Sequence, residues 1–227
     1  MEITEDKEFR AQLLKRIEQR EFKERTGVHT SDLVYCLNKT KLRRTNPLPI
    51  DDSTLLLFSL GWATQRWLTG QDKDVPEKEV DGIIVTLDAL TDEGIPWELK
   101  CTFQSSKRSP AEAPYYIRQI MSQCYVTGVN TAMLSRLEVM GNWQSIFAPK
   151  EVKALDLPEN RRPTLHAYKL TFTDKDLSRN WEWMQERKVL WLELLETGVL
   201  LPKGIAIPSG QDFECGRCAY KDNLCTL

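Results

Sequence analysis

The chain has 227 residues, 41% hydrophobic and 28% charged, the ordinary balance of a globular protein with one core or one core and a small appendage. A net charge of -2 excludes a globally basic polyanion binder, so any nucleic-acid contact must come from basic groups lining one groove. No run of about 18 apolar residues is present, which excludes a transmembrane helix.

Residues 5–25 read as a charged helix with Phe9, Leu13, Leu14, Ile17 and Phe22 at roughly helical spacing. The first dozen residues are charged throughout and lack the apolar stretch of a signal peptide, so a cytoplasmic location is expected. Thr30-Ser31-Asp32 looks like a helix start leading into residues 33–44, inside a segment (10–44) rich in Lys and Arg. Pro47 and Pro49 break the chain. Ser53 then opens a helix that runs to Gly70.

The period changes in the middle. Residues 79–90 (EVDGIIVTLDAL) are rich in β-branched side chains and read as a strand. A turn follows at 91–94, and residues 95–103 (IPWELKCTF) make the second arm of a hairpin. A helix is expected over 111–127, closed by Gly128, then strands over 131–140 and 165–173. Thr173 caps a long helix over 174–197, ended by Gly198. Strands interleaved with helices argue an α/β fold.

Two segments carry chemistry. Alternation along the second hairpin strand puts Glu98 and Lys100 on one face, with Leu99 pointing away. The hairpin is expected to bring Asp81 beside them. Two carboxylates and a backbone carbonyl, that of Leu99, make a hard oxygen site suited to Mg²⁺ or Mn²⁺. A bare Glu-x-Lys is also the common signature of a solvated surface pair. This one lies between Trp97 and Cys101 in an otherwise apolar strand.

The second segment is the C-terminal tail. It holds Cys215-Gly216-Arg217-Cys218 and, six residues further, Cys225. Three cysteines so close in an apolar-poor tail suit a metal or cluster, since the reducing cytoplasm disfavours disulfides. Cys36 is the best candidate for a fourth ligand. Cys101 and Cys124 sit among apolar neighbours and read as small buried hydrophobes.

The order of Asp81, Glu98-x-Lys100 and a following helix with Gln119 resembles the PD-(D/E)XK nuclease superfamily. More narrowly it is similar to RecB-like iron–sulfur exonucleases, including CRISPR-associated members and their phage relatives. The resemblance implies a restriction-endonuclease-like core: a mixed central sheet flanked by helices, with a C-terminal cysteine-ligated metal subdomain. It covers residues 28–225. Residues 1–227 would be one nuclease domain, with 28–45 and 202–227 together forming the cysteine subdomain. It implies Asp81 and Glu98 as metal ligands, Lys100 as catalytic, and Gln119 near the scissile phosphate. The family's Gln-x-x-x-Tyr becomes Gln119-x-x-x-Gln123 here, with Tyr125 two residues on. Its Gly-x-x-x-His becomes Gly61-x-x-x-Gln65, so Gln65 stands where an imidazole would reach the metal. His29 is read as structural or DNA-contacting, and His166 as packing.

The same resemblance implies a 4Fe-4S cluster on Cys36, Cys215, Cys218 and Cys225, because one early and three late cysteines flank the core in that order. Zinc is the alternative, since four thiolates suit it equally. The implied substrate is DNA, single-stranded at its ends, with a CRISPR integrase or a phage recombination protein as partner and no membrane. Expected DNA contacts are Arg43, Arg44, Lys107, Arg108 and Arg118 on phosphates, and Tyr115 and Tyr116 stacking on bases. Local basic patches at Arg161 and Arg162 add to these. Two other readings remain open: a non-catalytic nucleic-acid-binding adaptor, which Gln65 and Gln123 would suit, and a redox or metal sensor built on the cysteines.

Overall fold

The computed structural model describes residues 4–21, 25–70, 77–102, 109–139, 163–216, 218–221 and 223–225. Phe22, Lys107, Arg108, Arg161 and Arg162 lie outside them. Four helices open the chain: α1 Lys7–Glu21, α2 Thr30–Leu33, α3 Leu37–Thr45 and α4 Asp52–Thr69. Helix α1 lies largely exposed on α4, joined by Arg10 Nη2 donating to Asp52 Oδ2 at 2.6 Å. The cap of α4 is Asp51, two residues earlier than the sequence suggests. Its carboxylate accepts from the Thr54 N–H at 3.0 Å, satisfying an otherwise unpaired first-turn donor.

Residues 79–90 do not form one strand. They fold as β1 Lys78–Val80 and β2 Ile83–Val85, an antiparallel pair, followed by the separate strand β3 Ala89–Leu90. The break falls at Asp81-Gly82. Both residues have positive φ, +50° and +68°, the backbone of a two-residue type I′ turn that Asp-Gly favours.

Strand β3 pairs antiparallel with β4 Pro96–Thr102. Helix α5 Pro114–Thr127 carries the chain across to β5 Thr131–Glu138, which lies parallel to β4. Strand β6 Thr164–Thr171 closes the sheet antiparallel to β5. The order β3-β4-β5-β6 is therefore a mixed sheet, with one helical crossover where a parallel pair demands it. Thr64 of α4 donates to the Cys101 sulfur, and Gln123 of α5 donates to Glu98. Residues 98 and 101 point to opposite faces of β4, so helices cover both sides. Among the described residues, no helix is long and apolar enough to cross a membrane.

Helix α6 Asp174–Thr197 packs on α5 and organises the core. Thr173 and Asp176 cap it reciprocally, each side chain taking the other's N–H at 3.0–3.1 Å. Its inner face places Trp181, Met184, Trp191 and Leu194 against Leu33, Val34, Leu37, Ile83 and Val85. The chain ends with two short helices, α7 Lys203–Ala206 and α8 Phe213–Gly216.

One buried cation joins the two ends of the chain. The Arg187 guanidinium, on α6, donates to the carbonyls of Leu33 (2.5 Å), Tyr35 (2.7 Å), Ala206 (2.9 Å) and Ile205 (3.2 Å). Two of those carbonyls precede Cys36, and two belong to the stretch leading to Cys215.

Candidate functional site

Strand β4 sets Glu98 and Lys100 on one face. Glu98 is wholly buried, and the Lys100 ammonium contacts its Oε1. The other oxygen, Oε2, accepts from Gln123 Nε2 at 2.6 Å. Gln123 also donates to the Thr86 carbonyl at 3.2 Å, so it ties α5 to both the acidic strand and the segment before β3.

The second carboxylate is not Asp81. In the β1–β2 turn, Asp81 Oδ2 accepts from Trp181 Nε1 at 2.9 Å, and its carbonyl accepts from Lys188 Nζ at 2.5 Å. Asp81 is thus a turn residue fastened to α6. The acid that reaches Glu98 is Asp88, immediately before β3. Its Oδ2 accepts from the Leu99 N–H at 2.9 Å, and its carboxyl lies against that of Glu98. Burial, then the charge of Glu98, push its carboxyl up to about 7. For Lys100, burial acts to lower the pKa, but the Glu98 and Asp88 carboxylates outweigh it and hold the ammonium well above its ordinary range.

The other expected groups fall in different places. Gln65 is at the site through its donated hydrogen bond to the Asp88 carbonyl, 3.0 Å, which holds α4 to that acid. Gln119 lies one turn before Gln123, partly buried, and the amide that meets Glu98 is Gln123. Arg44 pairs with Asp32 at 2.5 Å and lies over Trp191, so it is engaged within the fold. Arg118 lies 3.7 Å over Trp183 and bonds Asn180. Arg43 is exposed. His29 is buried, its Nδ1 2.8 Å from Arg25 and its Nε2 2.9 Å from the Thr26 carbonyl, a structural role. His166, 41% exposed at its side chain, lies 4.0 Å from the buried Glu138. Tyr115 and Tyr116 belong to a ring cluster beside Lys100.

Whether a divalent cation suits this place can be judged from the donors. Asp88, Glu98 and the Leu99 carbonyl are all hard oxygens. Buried Glu98 Oε1 is met by the Lys100 ammonium. The set fits a hard cation, with Asp88 in the position expected of Asp81. No three His, Cys, Asp or Glu side chains among the described residues are drawn together closely enough to cage an ion.

Cys36, Cys215, Cys218 and Cys225 line one cavity of about 240 Å³, together with Glu214, Lys39, Lys203 and Lys221. Cys36 precedes α3, and its N–H donates to both Glu214 carboxylate oxygens at 3.2 Å. Burial pushes the Cys36 thiol up to about 11. Tyr220 O–H donates to the Asn46 carbonyl at 3.1 Å, fastening the tail beyond α3. Cys124 is buried against Ile120 and Leu134 as a small hydrophobe, away from this cavity.

Among solved structures the chain is similar to SSO0001, at 16% identity over 93% of each chain with a TM-score of 0.54. That likeness shows a shared fold. A phage related exonuclease from Haemophilus somnus 129PT aligns at 10% identity over 78% of this chain and 98% of its own, with a TM-score of 0.48. LHK-Exo, an alkaline exonuclease from Laribacter hongkongensis, aligns in its dAMP complex at 14% identity over 75% of this chain and 90% of its own, with a TM-score of 0.44. At such scores these two give no independent support for an activity. No family model and no curated protein matches the sequence.

Proposed function

We propose that the chain is a Mg²⁺- or Mn²⁺-dependent deoxyribonuclease, an exonuclease acting on single-stranded DNA ends. The observation that carries this reading is the meeting of Asp88, just before β3, with Glu98 and Lys100 of the paired strand β4, and with Gln123 locking Glu98 from α5. Asp88, Glu98 and the Leu99 carbonyl would hold the cation. When bound, it would supply Lewis acidity toward a phosphate and favour deprotonation of the attacking water.

The protein's own groups do the rest. Gln123 and Lys100 orient the Glu98 carboxylate. Gln65 and the Leu99 N–H fix Asp88 at both its backbone and its side chain. Lys100, kept positive by the two acids, offers its charge to a phosphate in which negative charge accumulates during attack. On labelled single-stranded DNA with Mn²⁺, wild type is expected to degrade the strand, and Lys100→Ala to lose at least about 10²-fold in rate. Equal inertness of both proteins would leave the adaptor reading in possession of the fold.

The four-cysteine cavity would hold a 4Fe-4S cluster, making residues 28–45 and 202–227 one subdomain. Four thiolates suit zinc as well, and the order of one early and three late cysteines, shared with the resembling exonucleases, favours the cluster. Lys39, Lys203 and Lys221 on the walls suit the negative charge of a thiolate-ligated centre. Protein purified without oxygen is expected to be brown and to contain iron and acid-labile sulfide. Colourless protein with one zinc per chain would reverse the assignment.

A further inference from the structure

The Lys100 ammonium has a neighbour besides the carboxylates. Its Nζ lies 5.0 Å from the centre of the Tyr116 ring, within the range where an aromatic face attracts a cation. Tyr116 meets Tyr115 edge-on, at 4.4 Å between centroids and 70° between planes. Tyr115 in turn lies 5.5 Å from Tyr35 and 5.8 Å from Phe213. Tyr35 directly precedes Cys36. Phe213 stands two residues before Cys215. The rings therefore run unbroken from the ammonium beside Glu98 to both chain segments that carry the cysteines.

We infer that Tyr116 is a positioning residue for Lys100, and that Tyr115 and Phe213 hold its ring from the cysteine-bearing tail. The inference deepens the nuclease reading and rests on it for the role of Lys100. Three features carry it. Lys100 is on a strand whose register fixes its root, but its four-carbon stem leaves the ammonium free to choose a height above the sheet. The Tyr116 ring face, 5.0 Å from Nζ, together with the Glu98 contact narrows that freedom. Tyr116 lies in the first turn of α5, where Pro114 at the helix start sets the backbone direction. The ring is thus anchored on both sides, by the helix and by Tyr115. A group positioned in this way loses turnover when its support is removed, with little change in substrate affinity.

The test uses lysine side-chain carbon–proton spectra, with Lys100 assigned by its absence in Lys100→Arg. Methylene protons over a ring face are moved upfield by its ring current. Wild type is expected to show one lysine ε-methylene signal so displaced, and Tyr116→Phe, which keeps the face, to retain it. Tyr116→Leu is expected to return it to the ordinary lysine position and to lower kcat by about tenfold or more with KM unchanged. Phe213 is 53% exposed, so Phe213→Ala is expected to fold and to move the Lys100 signal part of the way. An undisplaced Lys100 signal in wild type overturns the inference. So does a Tyr116→Leu protein that keeps full turnover, or a Phe213→Ala protein whose Lys100 signal stays in place. The spectra need no nuclease activity, so failure of the proposed reaction and failure of the ring support are read separately.

Discussion

Asp88→Asn is expected to cut metal-dependent DNA cleavage by at least about 10²-fold, whereas Asp81→Asn is expected to leave turnover unchanged. The two residues are seven apart in a stretch that the sequence presents as one strand. Asp81 spends its carboxylate on Trp181 and its carbonyl on Lys188, facing α6. Asparagine keeps an acceptor oxygen for Trp181, so the turn survives. Asp88 faces Glu98 and is held by the Leu99 N–H. Replacing it removes a ligand charge and leaves Glu98 as the one carboxylate of the pair, still held by Lys100 and Gln123.

The same substitution carries a stability signature. In unfolded chain an Asp titrates near 3.9, and in the fold burial and Glu98 raise Asp88 to about 7. Below about pH 4 the group is protonated in both states and costs nothing. As pH rises from about 4 to about 7, the unfolded chain releases this proton and the folded one resists. Metal-free wild type is therefore expected to lose stability across that window, and Asp88→Asn to lose less. Mn²⁺ at pH 7 is expected to raise the melting temperature of wild type more than that of the variant. Parallel melting curves for both proteins, at every pH and with or without Mn²⁺, would remove Asp88 from the site.

Arg187→Met should lower stability by about 3–5 kcal/mol, the scale for deleting one partner of a buried charged network. For a chain of this size that is a fall of roughly 6–20 °C in melting temperature. Burial holds the guanidinium down to about 10, so it is still charged at neutral pH. Its four hydrogen bonds go to carbonyls on both sides of the cysteine cavity. Methionine fills part of the volume but leaves those carbonyls without a donor. Lysine restores the charge, yet its compact ammonium cannot reach all four acceptors that the guanidinium fork spans, so Arg187→Lys is expected to recover only part of the loss. Freed chain ends should also speed the reaction of Cys36 and Cys215 with a thiol reagent in metal-free protein. A melting temperature equal to wild type would show that other contacts hold the two segments together.

None of this role for Arg187 was visible beforehand. An arginine within a helix is ordinarily a solvated surface residue, and only its burial by two distant segments gives it work. The acid pair failed for a related reason. Residues 79–90 look like one β run because Val, Ile and Thr dominate it, but Asp-Gly is itself a hairpin-turn signal. Read that way, it would have taken Asp81 out of the strand and left Asp88 as the candidate facing β4. The contact between α5 and the acidic strand was not legible either. Gln119 and Gln123 share a face, and only the depth at which α5 packs on β4 makes Gln123 the one that meets Glu98. At the N-terminal end of α4 the sequence favoured Ser53, while Asp51 makes the cap because its carboxylate reaches the Thr54 N–H.

By itself the sequence determined what is local and periodic. Two-residue alternation placed Glu98 and Lys100 on one face of β4. The Thr173–Asp176 capping pair and Gly198 set the ends of α6. Those outcomes depend on neighbours within a few positions, where backbone geometry alone decides. Tertiary structure decided which distant groups meet: Asp88 rather than Asp81 at Glu98, and Cys36 on the same cavity as the tail cysteines. Such meetings follow from where a turn interrupts a strand and how strands register. A shift of one residue in either sends a side chain to the opposite face.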